Sequence, residues 1–172
     1  MLDYFDRYRE EKTMVECRVA RQEDLEACFA LRGKGGIFQY YFRQERTFEN
    51  VIRKALISGN LYVAIWKETE TDEEGNIAGL MIIKRKAFCD LYDYLSLLCV
   101  GEKFRKLGIG SALLREFEII GKKDNCRKVA LLVSDFNLSA QKLYKSHGYY
   151  EVGRIPGCTQ DALDELLFLK DI

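Results

Sequence analysis

Residues 128–134, KVALLVS, form a near-continuous apolar run without alternation. A strand of that pattern is buried on both faces, so the chain must place a layer on each side of it. The segments around it supply those layers. Upstream, Leu113, Leu114, Phe117 and Ile120 recur at helical spacing in a helix expected from Ser111 to about Lys123. Lys122 and Lys123 suit the negative end of its dipole. DYLSLLCV, residues 93–100, is read as an extended segment before that helix. Downstream, Asn137 precedes a helix with Ala140, Leu143, Tyr144 and His147 on one side, stopped by Gly148 at its C′ position.

The rest of the chain reads as antiparallel hairpins and helices flanking this strand–helix–strand–helix unit. MVECRVA alternates like a strand, and Leu25, Cys28, Phe29 and Leu31 form a helical stripe that GKGG breaks. Thr47 is expected to cap a second helix over Phe48 to Ile57. LYVAIW and IAGLMIIKR are strands joined by the solvated stretch KETETDEEGN, and YYEVGR and DELLFLKDI close the chain as strands. The expected class is therefore mixed α/β (α+β), a sheet flanked by helices.

A length of 172 residues with one proline and no repeat gives no place to cut the chain, so one domain over 1–172 is expected, with 1–13 as an N-terminal extension. Twenty-seven basic side chains balance 27 acidic ones, so nothing in the global charge points to nucleic acid or a membrane surface. Cys17, Cys28, Cys89, Cys99, Cys126 and Cys158 lack the spacing of a metal site or a disulfide framework and read as reduced thiols. No apolar run approaches the ~18 residues of a membrane span, and the expected location is cytoplasmic.

RKLGIGSALL, residues 105–114, stands where a strand hands over to a helix. A helix start combines unpaired N–H groups with positive dipole charge, and glycines at 108 and 110 remove the Cβ atoms that would hold an anion away. Arg105 and Lys106 add charge at the entrance. The third glycine of a dinucleotide fingerprint is replaced by Leu113, and the lysine that a Walker loop requires after its glycine is absent after Gly110. R-x-x-G-x-G alone fits either a phosphate cradle or a tight turn that binds nothing.

The wider neighbourhood is more specific. LSLLCVGEKFRKLGIGSALL followed, beyond a buried strand, by NLSAQKLYKSHGYYEVG resembles the GCN5-related N-acetyltransferase family over about residues 91–153. The family's R/Q-x-x-G-x-G/A falls on Arg105, Gly108 and Gly110, and its N-x-x-A-x-x-x-Y-x-x-x-G-[FY] on Asn137, Ala140, Tyr144, Gly148 and Tyr149. CRVARQEDLEACFALR looks like the family's first strand and helix.

The resemblance implies a twisted, mostly antiparallel sheet splayed between the strands ending at Val100 and near Ser134, with coenzyme A in the opening. The pyrophosphate would rest on the amides of Arg105, Lys106, Leu107, Gly108, Ile109, Gly110 and Ser111, and the pantetheine arm would pair with backbone at Leu98, Cys99 and Val100. The implied reaction is metal-free transfer of acetyl from acetyl-CoA to a primary amine of a small molecule or peptide, with a non-catalytic acyl-CoA sensor as the alternative. A homodimer would follow the family's habit. Tyr144 matches the family's general acid, and Asn137 either bonds the coenzyme or caps its own helix. Where many relatives carry a glutamate, this chain has Ser96. Ser96 holding a water, with Asp93 or Asp90 as terminal acceptor, is one reading, a base in the acceptor loops is another, and surface capping by those aspartates is the alternative to a catalytic role for them. Tyr40 and Tyr41, in RGKGGIFQYYF, are candidates for contact with the acceptor, and Lys122, Lys123, Arg127 and Lys128 for the coenzyme's 3′-phosphate. His147 reads as structural, at a helix end where a cation would be favoured.

Overall fold

The computed structural model describes residues 15–69, 71–72, 74–158 and 163–172. The N-terminal extension expected over 1–13 and part of the acidic connection lie outside them. Seven strands, β1 (Val15–Val19), β2 (Leu61–Trp66), β3 (Asn76–Phe88), β4 (Tyr92–Val100), β5 (Lys128–Ser134), β6 (Tyr150–Ile155) and β7 (Glu165–Asp171), form one sheet. Their order is β1-β2-β3-β4-β5-β7-β6, and every neighbouring pair is antiparallel except β4 with β5. The helices are α1 (Leu25–Ala30), α2 (Ile37–Tyr40), α3 (Glu45–Ile57), α4 (Ile109–Lys123) and α5 (Leu138–Ser146). This is the mixed α/β architecture expected from the apolar patterning.

Two apolar layers account for it. On one face, Leu113, Leu114, Phe117 and Ile120 of α4 pack on Met81, Ile83, Leu95, Val129 and Leu131. On the other, Cys28 of α1 and Phe48 and Ile52 of α3 pack on Leu61, Val63, Leu80, Ile82 and Leu97. Leu95 and Leu97 thus belong to opposite layers although two residues apart. A bulge explains this: Ile83 pairs with Leu95 and Ile82 with Leu97, which leaves Ser96 as an extra residue. Regular alternation would put both leucines on one face.

Helix starts differ locally from the reading. α3 begins at Glu45, so Thr47 lies inside the helix, and Gln44 is its N-cap without a side-chain bond. α4 begins two residues earlier than Ser111, at Ile109, because Ile109 is an apolar residue of the core. His147 caps the C-terminus of α5, and Gly148, at φ 82°, takes the left-handed position beyond it.

The approach of α4 to the sheet depends on Gly79 of β3. A Cβ there would lie 2.9 Å from the Cys99 carbonyl oxygen and 2.9 Å from Ile109 Cγ2. Replacing Gly79 by valine therefore forces α4 or β4 outward, and we expect a loss of about 1–3 kcal/mol of stability. Urea unfolding followed by circular dichroism reads this as a lowered midpoint; an unchanged midpoint would contradict the contact.

Candidate active site

The parallel pair at the centre of the sheet is short. Asp93, Tyr94 and Leu95 of β4 face Val129, Ala130 and Leu131 of β5, and the pairing stops there. Beyond it β4 continues on β3 through Leu97, Leu98, Cys99 and Val100. β5 continues on β7 through Leu132, Val133 and Ser134. The sheet therefore divides at its centre, and among the described residues the edge of Leu98–Val100 that would face β5 has no strand partner.

The chain re-enters beside this opening through a sharp bend. Lys106 and Gly108 adopt left-handed backbone, with φ 65° and 78°. Alternating handedness of this kind turns successive amides toward one point and makes a concavity for an anion. The first bond of α4 runs from Ala112 N–H to Gly108 carbonyl. The amides of Ile109, Gly110 and Ser111 consequently have no acceptor within the helix. A Cβ on Gly108 would meet no heavy atom within 4 Å. Gly110 differs: its Cβ would come within 3.1 Å of Leu143, so this glycine admits α5 rather than simply clearing room for an anion. Leu107 is exposed and Ile109 is buried, so any contact of Ile109 with an anion is through its amide. The guanidinium of Arg105 is 60 % exposed and lies 3.9 Å from Glu102, leaving it available to a ligand at the mouth of the bend. Convergent amides, open space and two flanking cations fit the diphosphate of a coenzyme A, and the partnerless β4 edge fits its peptide-like arm.

Residues 19–149 match the model of the acetyltransferase (GNAT) family. The chain belongs to that family. A stretch of 66 residues is 36% identical to GCN5-related N-acetyltransferase 4, chloroplastic, of Arabidopsis thaliana, spanning 38% of this chain and 23% of that protein. In fold, the chain is similar to a GNAT-family acetyltransferase from Bacillus cereus, with a TM-score of 0.70 at 20% identity over 91% of this chain and 96% of that one. It is also similar to a chain of the NatC complex bound to Gag peptide and CoA, with a TM-score of 0.68 at 15% identity over 92% and 98%.

The second motif lies on and just beyond α5. Asn137 accepts the Ala140 amide at 3.3 Å and so caps the helix. Tyr144 is buried, its ring centroid 5.9 Å from that of Tyr149 and 6.4 Å from that of Phe168. Burial, and then the charge of Tyr94, hold its phenol well above the usual tyrosine range. Cys99 is inert in this setting: burial pushes its thiol up to about 12, and it donates to the Leu31 carbonyl at 3.6 Å. Cys28, Cys99 and Cys126 are buried, whereas Cys89 and Cys158 are exposed.

Ser96 and Asp93 are not brought together. Asp93 lies at the closed end of the strand pair, fully buried, accepting the Lys86 amide at 2.9 Å with the Arg85 guanidinium 3.6 Å away. Burial raises its carboxyl above the usual range, and Asp124 lies beside it. Ser96 is exposed and lines a groove of about 370 Å³ with Phe42, Lys54 and Lys84 on the α3 face. An aspartate and a serine on opposite faces cannot share a water, so the relay through Asp93 has no geometric support. Asp90 lies in the turn between β3 and β4, at the same closed end.

Tyr40 and Tyr41 instead reach across the opening. Tyr40 packs on Phe136 with centroids 4.6 Å apart. The Tyr41 and Ser134 hydroxyls lie 2.8 Å apart and each donates to the same Glu165 oxygen, Ser134 Oγ at 2.6 Å. Burial, then the bond to Glu165, raises the Tyr41 phenol. Neither Ser134 nor Glu165 was among the expected site residues. The available signal was a carboxylate opening the otherwise apolar run ELLFL.

His147 Nε2 lies 2.9 Å from Ser111 Oγ, which joins the end of α5 to the first turn of α4. Burial lowers its imidazole below the ordinary 6.5, with Glu118 opposing and Arg115 and Lys170 adding to the shift. A cation is therefore disfavoured here, contrary to the expectation from the helix end alone. Protonation favours the unfolded chain, so this contribution is complete above the unfolded pKa and is lost as pH falls below it. Comparing urea unfolding at pH 7 and pH 5.5, we expect His147→Gln to lose less stability on acidification than the wild type. Equal losses would remove His147 from the account.

Proposed function

We propose that this acetyltransferase moves an acetyl group from acetyl-CoA to a primary amine of a small molecule or peptide, by direct attack of nitrogen on the thioester. The observation that carries this reading is the divergence of β4 from β5 after Leu95 and Leu131, beside the left-handed bend at Gly108. The NatC structure, similar in fold, is described as holding both CoA and a peptide, which supports the donor and the acceptor class.

The thioester supplies an activated carbonyl carbon and a thiolate leaving group. Each chain segment has a task in receiving it. The amides from Arg105 to Ser111 bind the diphosphate, with Arg105 and Lys106 adding charge. The partnerless edge at Leu98, Cys99 and Val100 pairs with the pantetheine amides as an added strand would. An N–H from the same stretch donates to the oxygen that gains charge during attack.

Tyr144 serves the leaving sulfur. Its raised phenol stays protonated at neutral pH. Complete transfer to a thiolate whose conjugate acid lies near ~8.5 runs uphill, so the phenol acts chiefly as a hydrogen-bond donor while the C–S bond breaks. Asn137 keeps α5 in register by capping it. Free thiols at Cys17, Cys28, Cys89, Cys99, Cys126 and Cys158 suit a reducing compartment, and we propose the cytoplasm.

Two measurements test this reading. Gly108→Val puts a branched side chain into the open bend, at a φ that costs an L-residue about 1–2 kcal/mol. We expect the circular dichroism spectrum to persist while calorimetric affinity for CoA falls at least about tenfold, the equivalent of ~1.4 kcal/mol; unchanged affinity would refute the diphosphate site. Tyr144→Phe is expected to lower kcat about 10²-fold with CoA affinity retained, read by thiol release across alkylamines, polyamines and peptides with free N-termini. Tight CoA binding by the wild type with no thiol release from any amine would identify a sensor instead.

A further inference from the structure

Glu165 is a buried carboxylate at the open end of the sheet, 6% exposed. Its partner across the ladder is Ser134, itself 4% exposed. Ser134 stands three residues past the last β4–β5 pair, about 10 Å beyond it at ~3.3 Å per residue. That level corresponds to Leu97–Leu98 on the other arm, where the thioester carbonyl is expected under the proposed function. Among the described residues, the hydrogen bonds to Glu165 come from two neutral hydroxyls, Tyr41 and Ser134, and both go to Oε1. A carboxylate offers about four acceptor positions, so the side of Oε2 retains capacity for a further donor.

A buried anion satisfied by neutral donors is a place where a cation gains most. The surroundings suit one. Tyr40, next to Tyr41 in the chain, packs on Phe136, two residues beyond Ser134, so an aromatic pair adjoins in sequence the two residues that bond the carboxylate, and aromatic faces attract ammonium groups. The negative charge of Glu165 is also felt at Tyr94, whose phenol burial first and then that charge push up to about 12.

We propose that Glu165 is the general base of the acetyltransferase: it receives the acceptor as an alkyl ammonium and takes its proton. This rests on the transferase reading and supplies the group that Ser96 and Asp93 do not. An alkyl ammonium near pKa ~10 is mostly protonated at neutral pH and carries no lone pair for attack. One N–H proton passes to the Glu165 carboxylate and then to solvent. The freed nitrogen bonds the carbonyl carbon, collapse of the adduct breaks the C–S bond, and the second proton shed by nitrogen balances the one gained by the thiolate. One proton is released overall. Ser134 and Tyr41 are positioning residues that hold the carboxylate in one rotamer across the opening. The titratable groups facing Glu165 are Tyr41 from the end of α2 and Tyr94 from β4, with Cys158 close enough to act on both phenols. The ion pairs of Arg154 with Asp164 and Asp135 flank the strand end.

The test is Glu165→Gln, whose amide oxygen can still accept from Ser134 and Tyr41, with Glu165→Asp as the conservative variant. First, wild-type thiol release from acetyl-CoA is measured across alkylamines, polyamines and peptides with free N-termini. With an amine that turns over, we expect Glu165→Gln to lower kcat/KM by ~10²-fold or more at pH 7. Its rate should then rise tenfold per pH unit toward the amine's own pKa, where the wild type levels off earlier, and Glu165→Asp should restore part of the rate. Independently of turnover, calorimetry of the same amine with CoA-loaded protein should show at least tenfold weaker binding in Glu165→Gln, with CoA affinity unchanged. Wild-type turnover that the Gln variant matches in rate, pH profile and amine affinity would overturn the role of Glu165 alone. A wild type that turns over no amine would overturn the transferase reading, and this proposal with it.

Discussion

Three residue pairs join β4 to β5, and among the described residues no fourth follows, which leaves backbone inside the sheet available to a ligand. Parallel strands of this length would ordinarily zip to their ends, because each further pair satisfies buried N–H and C=O groups. Here the bulge at Ser96 bends β4 immediately beyond the third pair. The closed end is held by Asp93, bonded to the Lys86 amide and close to Arg85, whose guanidinium also bonds Tyr62 and Asp124. A buried carboxyl at one end and divergent strands at the other make a wedge with a fixed apex.

The helices that line the wedge are positioned by close approaches rather than by polar bonds alone. Gly79 lets α4 lie on β3 at the level of Val100, and Gly110 lets Leu143 of α5 reach the first turn of α4. The bond from His147 to Ser111 joins these two helices at the bend. Small residues under a helix start thus serve two ends: they permit dense packing below and leave the helix amides directed at open space above.

The acceptor side is assembled from parts distant in the chain. Tyr41 follows the shortest helix, yet its hydroxyl meets Ser134 and Glu165, 93 and 124 residues away. Together with Tyr40 on Phe136, it straps the α1–α3 half of the molecule to the β5–β7 half across the opening. The same contacts hold the carboxylate proposed as the base, so the strap and the proposed chemistry share residues.

Local pattern was enough for much of this. The period of apolar residues placed α4 and α5, the unbroken run KVALLVS placed β5, and Gly148 placed the end of α5, since each depends on neighbours within one or two turns. The glycine bend and the family motifs were legible for the same reason. What the sequence alone could not contain was register: which residues of β4 and β5 pair, where the extra residue Ser96 falls, and therefore that Asp93 lies at the closed end while Glu165 lies opposite Ser134, beyond the last β4–β5 pair. Those outcomes are decided when segments tens of residues apart compete for the same hydrogen bonds and the same apolar volume. Aspartate and glutamate look alike in a sequence, and only the folded sheet determines which carboxylate is held at the closed end of the strand pair and which beyond its last pair.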